Sequence, residues 1–284
     1  SSAGRRVRHL MRVYAAVIYV FLYGPIALIV LFSFNAGRHA SDFSCCSASW
    51  YGRAFGNPFM MEALINSLMI ALSTAVLATV MGTMAALALQ QVRGVLRLLF
   101  DGLTYTAIII PGIVIGIATL VALVTVFDVV NPLLAASWPP GLGAAPRLRL
   151  GTGTVIAAHT LFTMALVIVI VRTRIQDMDR SLIEASSDLY AAPMRTFFQI
   201  TLPQILPAVL AGFLLSFTFS FDDFVIAFFV AGADTTLPIY VFSSIRRGVT
   251  PEINAIASVV LGVSLTLLFA AQALQSSRRR YQNP

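Results

Sequence analysis

The sequence predicts an all-α integral membrane protein with six transmembrane helices. Of its 284 residues, 58% are hydrophobic and only 11% are charged, whereas about a quarter of the residues in an average soluble domain carry charge. The apolar residues also occur in runs of about twenty, the length of helix that crosses a hydrocarbon core roughly 30 Å thick. A soluble fold could not bury so much apolar surface, so we interpret these runs as membrane spans.

The six runs are separated by polar segments and predict a single transmembrane domain over residues 1–284. The first run follows a group of arginines between Arg5 and Arg12. It is too long for the apolar core of a cleaved signal peptide, so we expect it to be retained as a helix. The predicted spans are residues 13–34, 63–89, 103–127, 152–171, 205–230 and 254–274.

Arginine supplies all of the positive charge in the formal net charge of +7, because the sequence contains no lysine. Thirteen arginines fall on the side of the membrane that holds both termini and six on the other. Cytoplasmic loops retain positive charge, so we expect both termini to be cytoplasmic. The arginines lie between the spans and do not form a continuous face, so we expect no nucleic-acid partner.

The polar segments between spans carry few other signals. Four prolines in residues 128–151 predict a largely irregular external loop, and Pro251 predicts the start of the last helix after a turn at Gly248–Asn254. Pro111 and Gly112 interrupt the third span, either as a bend or as ordinary packing of small residues. The adjacent Cys45 and Cys46 offer neither metal-ligand spacing nor a loop-closing disulfide.

The segment 172–204 differs from the other loops. It carries four acidic residues among its arginines, and apolar residues recur between them at helical spacing. This pattern predicts short amphipathic helices beside the membrane. Their apolar stripe has to be covered by lipid headgroups, by the same chain or by a partner, so we expect this loop to be a docking surface.

A motif within this loop gives a specific resemblance. Glu184-Ala185-Ser186 is followed after three residues by Tyr190 and, nine residues later, by Ile200-Thr201-Leu202-Pro203. This spacing resembles the EAA signature of ABC importer permeases, the inner-membrane components of binding-protein-dependent transport. Ser186 stands where the signature usually has alanine. Tyr190 stands where it usually has glycine, and we expect this change to affect the detailed geometry of the turn.

The resemblance implies the type I ABC importer permease fold and a heteromeric assembly. A second homologous permease, two cytoplasmic ATPase subunits and a periplasmic solute-binding protein would complete the transporter in the bacterial inner membrane, surrounded by membrane lipid. The chain itself would bind no cofactor, since ATP and Mg would be used by the ATPases. The expected ATPase-coupling residues are Glu184, Ala185, Ser186, Asp188, Leu189, Tyr190, Ile200, Leu202 and Pro203.

A second stretch narrows the resemblance. Residues 214–225, which read LLSFTFSFDDFV, resemble the fifth helix of spermidine/putrescine permeases, and the similarity continues through 237–240 and 248–255. The resemblance implies a small cationic cargo, a polyamine such as putrescine or spermidine. The alternative cargoes are an organophosphonate, an opine or a thiamine-like cation, because a separate binding protein selects the solute in this family.

Asp222 and Asp223 lie deep in the fifth apolar run, where each aspartate costs about 2.5–3.5 kcal/mol on insertion scales. Intramembrane acids often mark a substrate path, and a polycation needs acceptors along its route, so we assign both to the path. The alternative is a structural pair with an arginine or a backbone donor.

We expect His159, in the fourth span, to be a hydrogen-bonded packing residue without an ionisable partner and not a proton relay.

Two other classes of protein fit the sequence less well. A secondary transporter would show more spans or internal inverted repeats, and the sequence shows no such repeat. A membrane enzyme would need a His/Asp/Glu cluster or a nucleophile with a base, and no predicted span offers one. The chain cannot itself be a P-loop ATPase, because that motif needs a lysine.

Overall fold

A computed structural model of the chain describes residues 2–37, 43–139, 142–179, 181–248 and 250–282. Arg38 and Arg180, which enter the topology prediction, lie outside these ranges, as do Pro140 and Val249. The chain divides into two compact units, one made of Ser1–Met61 with Tyr240–Pro284 and the other of Glu62–Ile239. The single transmembrane domain expected over residues 1–284 stays a prediction.

The described ranges contain α-helices and one π-helical turn, Phe197–Thr201. The helices are α1 (Ser2–Ser33), α2 (Ser49–Gly56), α3 (Pro58–Ala88), α4 (Gly94–Ile109), α5 (Gly112–Ser137), α6 (Thr152–Gln176), α7 (Ser181–Asp188), α8 (Pro193–Thr196), α9 (Leu202–Asp222), α10 (Val225–Val230), α11 (Leu237–Arg247) and α12 (Pro251–Gln282).

The predicted all-helical, six-span architecture is confirmed. Five apolar helical segments are long enough to cross a membrane, and a shorter sixth one, Pro251–Thr266, opens α12. The bounds differ from prediction by several residues in most spans, and they differ most in the third, which begins at Gly112, and in the fifth, which runs from Pro193 to Asp222. The five long segments are Val7–Ser33, Pro58–Ala88, Gly112–Ser137, Thr152–Gln176 and Pro193–Asp222.

The predicted third span, residues 103–127, is interrupted at Pro111. Ile110 is extended, with φ −62° and ψ 133°, as expected for a residue that precedes proline. A new helix, α5, then begins at Gly112. The small residues here also permit close packing, because a Cβ atom added to Gly116 would lie 2.7 Å from a ring carbon of Phe229. Both readings of the proline and glycine signal therefore apply to this segment.

Two connecting segments contain more helix than the sequence suggested. The prediction of an irregular loop from residue 128 was wrong over 128–137, because α5 continues to Ser137 with Pro132 inside it. Apolar residues continue at helical spacing on both sides of that proline. The sequence analysis also missed helix α11, because this helix is short and amphipathic.

Helix α6 lies at the centre of the unit formed by residues 62–239, where it packs against α4, α9 and α10. The buried Val167 on α6 fits between two glycines. A Cβ atom on Gly82 would lie 2.8 Å from the Val167 Cβ, and one on Gly212 would lie 3.3 Å from its Cγ1. Small residues at helix interfaces let backbones approach closely, which is how helices associate within a bilayer.

The other unit joins the two ends of the chain. Helices α1 and α2 both pack against α12. The side-chain amide of Asn57 donates to Tyr240 Oη at 3.1 Å and to Glu252 Oε1 at 2.8 Å, which ties the start of α3 to α11 and to the first turn of α12. The chain's only two cysteines, Cys45 and Cys46, are joined to each other in a disulfide.

Candidate functional site

The loop that carries the motif is shorter than predicted. Helix α6 continues to Gln176, and the fifth span begins at Pro193, so the non-spanning part covers residues 177–192. The predicted short helices are present as α7 and α8. Before α7, Asp179 Oδ1 accepts the backbone N–H of Ser181 at 2.9 Å, and hydrogen bonding with Ser181 holds the Asp179 pKa below its usual value.

Ser186 explains one departure from the family motif. It is buried, and its Oγ lies 2.7 Å from Thr196 Oγ1 in a hydrogen bond. This bond joins α7 to α8 across the turn. An alanine at this position could not make it, so the serine adds a polar connection between the two short helices.

Tyr190 ends α7 in the left-handed conformation, with φ 55°. The backbone N–H of Ala191 donates to Ser186 O at 3.1 Å, and that of Tyr190 donates to Ser187 O at 3.0 Å. This pair of bonds is the Schellman motif, in which the left-handed residue is usually glycine. The tyrosine therefore adopts the conformation that the motif glycine favours, at a cost of about 1–2 kcal/mol.

The motif residues separate into two groups. Those on and just after α7 are exposed, apart from Ser186, and Leu189 and Tyr190 are 81% and 97% exposed. The later group, Ile200, Leu202 and Pro203, lies in the π-turn and the first turn of α9, where Leu202 packs against buried residues of α3 and α6. A cavity of about 520 Å³ lies between α7 and the ends of α3 and α6, with Glu184 among its lining residues.

The two aspartates of the fifth span stand at a break in the helix. Helix α9 ends at Asp222, and Asp223 is extended, with φ −71° and ψ 120°. The Asp223 Oδ2 atom accepts the backbone N–H groups of Ile226 at 2.9 Å and Ala227 at 3.0 Å. Asp223 therefore satisfies backbone donors at the start of α10 that would otherwise be left unpaired.

His159 reaches the same break from α6. Its Nε2 lies 3.2 Å from Asp223 Oδ2, and its Nδ1 lies 2.8 Å from Ser220 Oγ. An ionised carboxylate only accepts, so when Asp223 is ionised and His159 is neutral, Nε2 carries the proton and Nδ1 accepts from the serine hydroxyl. The expectation that His159 has no ionisable partner within the spans was wrong, because the two residues are 64 positions apart in sequence.

Ser220, His159 and Asp223 are connected in the order of a hydrolase triad, so the prediction that the spans carry no nucleophile beside a base was wrong. Ser220 and His159 are only 5% and 2% exposed, which leaves no room for a substrate carbonyl beside the hydroxyl. The arrangement acts as a buried polar connection between α6, α9 and α10. Within the described ranges, no three His, Cys, Asp or Glu side chains are placed to hold a metal ion.

Asp222 has a different environment from its neighbour. It is exposed, and its carboxylate makes no hydrogen bond or ion pair with the residues that the structure describes. The structure thus brings Asp223 together with His159 and leaves Asp222 facing outward from the chain. The separation arises because the helix ends between them: Asp222 is the last residue of α9, whereas Asp223 is extended.

Two polar connections could not be anticipated from local sequence. Both carboxylate oxygens of Asp101 on α4 accept from Arg172 at the end of α6. Asp234, between α10 and α11, accepts through Oδ2 from the Thr152 backbone N–H at 2.6 Å and from its hydroxyl at 2.8 Å. The hydrogen bonds from Thr152 hold the Asp234 pKa below its usual value.

Comparison with known proteins assigns this architecture. Residues 78–281 match the family described as "Binding-protein-dependent transport system inner membrane component". The chain is 39% identical to the putrescine transport system permease protein PotI of Escherichia coli strain K12, covering 86% of this chain and 83% of that protein. It is 35% identical to the spermidine/putrescine transport system permease protein PotC of Haemophilus influenzae, covering 91% and 93%.

Solved structures show the same fold. A chain of a bacterial ABC transporter involved in the import of the acidic polysaccharide alginate aligns with a TM-score of 0.69 at 16% identity, over 98% of this chain and 99% of that one. The alginate transporter in complex with a pentasaccharide-bound periplasmic protein gives a TM-score of 0.68 at 16% identity, over 97% and 96%. The chain belongs to the family of inner-membrane components of binding-protein-dependent transport systems, and it is a multi-pass membrane permease of an ABC importer.

Proposed function

We propose that this permease carries a polyamine such as putrescine or spermidine. The observation that carries the proposal is the 39% identity to a putrescine permease over 86% of the chain. The exposed Asp222 at the break between α9 and α10 supports it, because a polycation needs anionic or acceptor groups on its route. We assign Asp222 to that route, and we assign Asp223 to the support of the break.

The proposal includes the assembly that moves the cargo. A periplasmic binding protein delivers the solute, a second homologous permease completes the path, and two cytoplasmic subunits hydrolyse ATP with Mg. The chain itself binds no cofactor and catalyses no reaction. The topology that fits this assembly places both termini and the 177–192 loop in the cytoplasm of a bacterium, as the arginine distribution predicts.

The loop 177–192 is proposed as the coupling surface for an ATPase subunit. Leu189 and Tyr190 present apolar and aromatic surface at the end of α7, and an exposed apolar patch beside acidic residues is typical of an interaction site. Ser186 and Leu202 carry motion inward, since Ser186 is bonded to Thr196 and Leu202 packs against the core of the unit. Closure of the ATPases would then reach the fifth span through α8 and the π-turn.

Reconstitution tests the cargo. The complete transporter is purified with its subunits, placed in liposomes and supplied with ATP inside and loaded binding protein outside. We expect putrescine or spermidine to stimulate ATP hydrolysis and to accumulate in the vesicles. Stimulation by an organophosphonate, an opine or a thiamine-like cation, and not by any polyamine, would contradict the cargo assignment. Uptake driven by an ion gradient without ATP would contradict the ATP-driven mechanism.

A further inference from the structure

An apolar groove of about 560 Å³ lies between α3, α4 and α6 in the unit formed by residues 62–239. Alanines from all three helices line it, and larger residues such as Phe100, Leu103 and Leu161 line it as well. Leu103 and Leu161 are 67% and 58% exposed. The only hydroxyl in its lining, that of Thr104, is bonded to the Phe100 carbonyl at 2.8 Å. The groove therefore offers no polar group to a ligand and fits a hydrocarbon chain.

Positive charge marks one end of this groove. Phe100, Thr104 and Ala107 line it from α4, and Arg97 continues the same spacing of three or four residues within that helix, so it shares their face. Arg93 is extended and stands just before α4, directly after Val92, which also lines the groove. Both arginines therefore lie toward the 89–93 connection, where we expect a bilayer to change from acyl chains to headgroups.

The two arginines differ in how far their charge is paired. Asp101 is the nearest acid, but both of its oxygens accept from Arg172, and Arg97 lies 3.9 Å from its Oδ2. Arg93 has no ion pair with the residues that the structure describes. Basic residues at the ends of grooves between transmembrane helices bind the headgroups of anionic lipids, and the interaction is worth about 1 kcal/mol for each Arg near the surface.

We propose that the groove between α3, α4 and α6 is a binding site for an anionic phospholipid. Its acyl chain lies along Leu103 and Leu161, and its phosphate lies between Arg93 and Arg97. The charge decides against a zwitterionic lipid as the preferred occupant, because Arg93, which has no ion pair among the described residues, gains more from a net negative headgroup. The site is separate from the coupling loop and from the break at Asp223.

Quenching of a tryptophan placed in the groove tests the proposal. The transporter carrying Leu103→Trp is purified with its native subunits and reconstituted in nanodiscs that contain lipid brominated on its acyl chains. The brominated lipid is either phosphatidylglycerol or phosphatidylcholine, and the signal of the transporter without the added tryptophan is subtracted. We expect the anionic lipid to quench more strongly at equal mole fraction.

Matched variants identify the headgroup contacts. The double variant Arg93→Gln with Arg97→Gln should abolish the preference for the anionic lipid, because each arginine contributes about fivefold to it. Arg8→Gln with Arg12→Gln removes the same charge from α1 and should leave the preference unchanged. Equal quenching by both lipids, or a preference that survives the first pair, would overturn the proposal. Quenching by neither lipid would show that a protein helix covers the groove and would overturn it too. If the transporter carrying Leu103→Trp fails to assemble, Leu161→Trp on α6 repeats the test.

Discussion

The Nε2 atom of His159 lies 3.2 Å from Oδ2 of Asp223, and this contact joins the middle of α6 to the point where the fifth span breaks. The same oxygen accepts two backbone N–H groups of α10, and the opposite ring nitrogen of His159 meets Ser220. One imidazole therefore connects three helices within the hydrophobic layer, where an unpaired polar group is costly.

His159→Leu should destabilise the permease, because it leaves the Ser220 hydroxyl without its partner and removes one donor from Asp223. We expect a loss of about 1–3 kcal/mol, seen as a lower midpoint of thermal unfolding in nanodiscs. Ser220→Ala is the matched control and should cost less, since it removes one partner without stranding a carboxylate. An unchanged midpoint in His159→Leu would show that the contact does not support the break.

Asp222→Asn should reduce polyamine uptake by the reconstituted transporter without changing its thermal stability, because the carboxylate is exposed and has no partner among the described residues. Asp223→Asn should lower the thermal stability of the transporter more than it lowers polyamine uptake. The amide oxygen can still accept the N–H groups of Ile226 and Ala227, but the bonds become weaker by about 1 kcal/mol, and the unfolding midpoint falls. Normal uptake by Asp222→Asn would remove that residue from the substrate path.

Tyr190→Gly should make the 177–192 loop more stable than Tyr190→Ala does. Both variants remove the exposed ring, but only glycine adopts a φ of 55° without strain. The difference should be about 1 kcal/mol, measured as slower amide hydrogen exchange or slower proteolysis in the loop. Equal exchange in the two variants would mean that the backbone strain at this turn is negligible.

Leu189→Asp should weaken association with the ATPase subunit and uncouple ATP hydrolysis from transport, because the side chain is 81% exposed at the end of α7. Leu142→Asp is the control. That leucine is 67% exposed on the connection between α5 and α6, so the change of chemistry is the same at a different surface. If both variants copurify with the ATPase equally well, the proposed coupling surface is incorrect.

Asp234 should contribute a pH-dependent share of stability. Its folded pKa is lowered by the hydrogen bonds from Thr152, so its contribution is fully present above the unfolded value of about 3.9 and is lost as the pH falls through the folded pKa. The stability gap between the wild-type protein and Asp234→Asn should therefore be constant near neutral pH and should close in acid.

The spans could be predicted because the bilayer imposes a length on every apolar run, and that constraint acts within one stretch of sequence. The short helices α7 and α8 could be predicted because apolar residues recur at helical spacing within their own segment. The interruption at Pro111 has a local cause, the missing N–H and the restricted Ile110, so the sequence indicated it. These features need no knowledge of which helices are neighbours.

The features that the sequence did not predict depend on contacts between residues that are distant in sequence. The break at Asp223 is supported by His159, and the bond of Ser186 depends on the turn that brings Thr196 back toward α7. Nothing near Asp101 indicates that its partner is Arg172. Helix α11 was missed because a short amphipathic helix outside the hydrophobic layer lacks the long apolar run by which the others are recognised.

The use of Asp223 as a backbone acceptor limits how much charge this chain can offer a passing cation. Its carboxylate is shared among two amides and an imidazole, so among the described residues at the break between α9 and α10 Asp222 is the acid without a hydrogen bond or ion pair. A diamine carries two ammonium groups. On the proposed substrate path, one copy of this chain would offer one free carboxylate at that level, so we expect the second ammonium to face acceptors on another subunit.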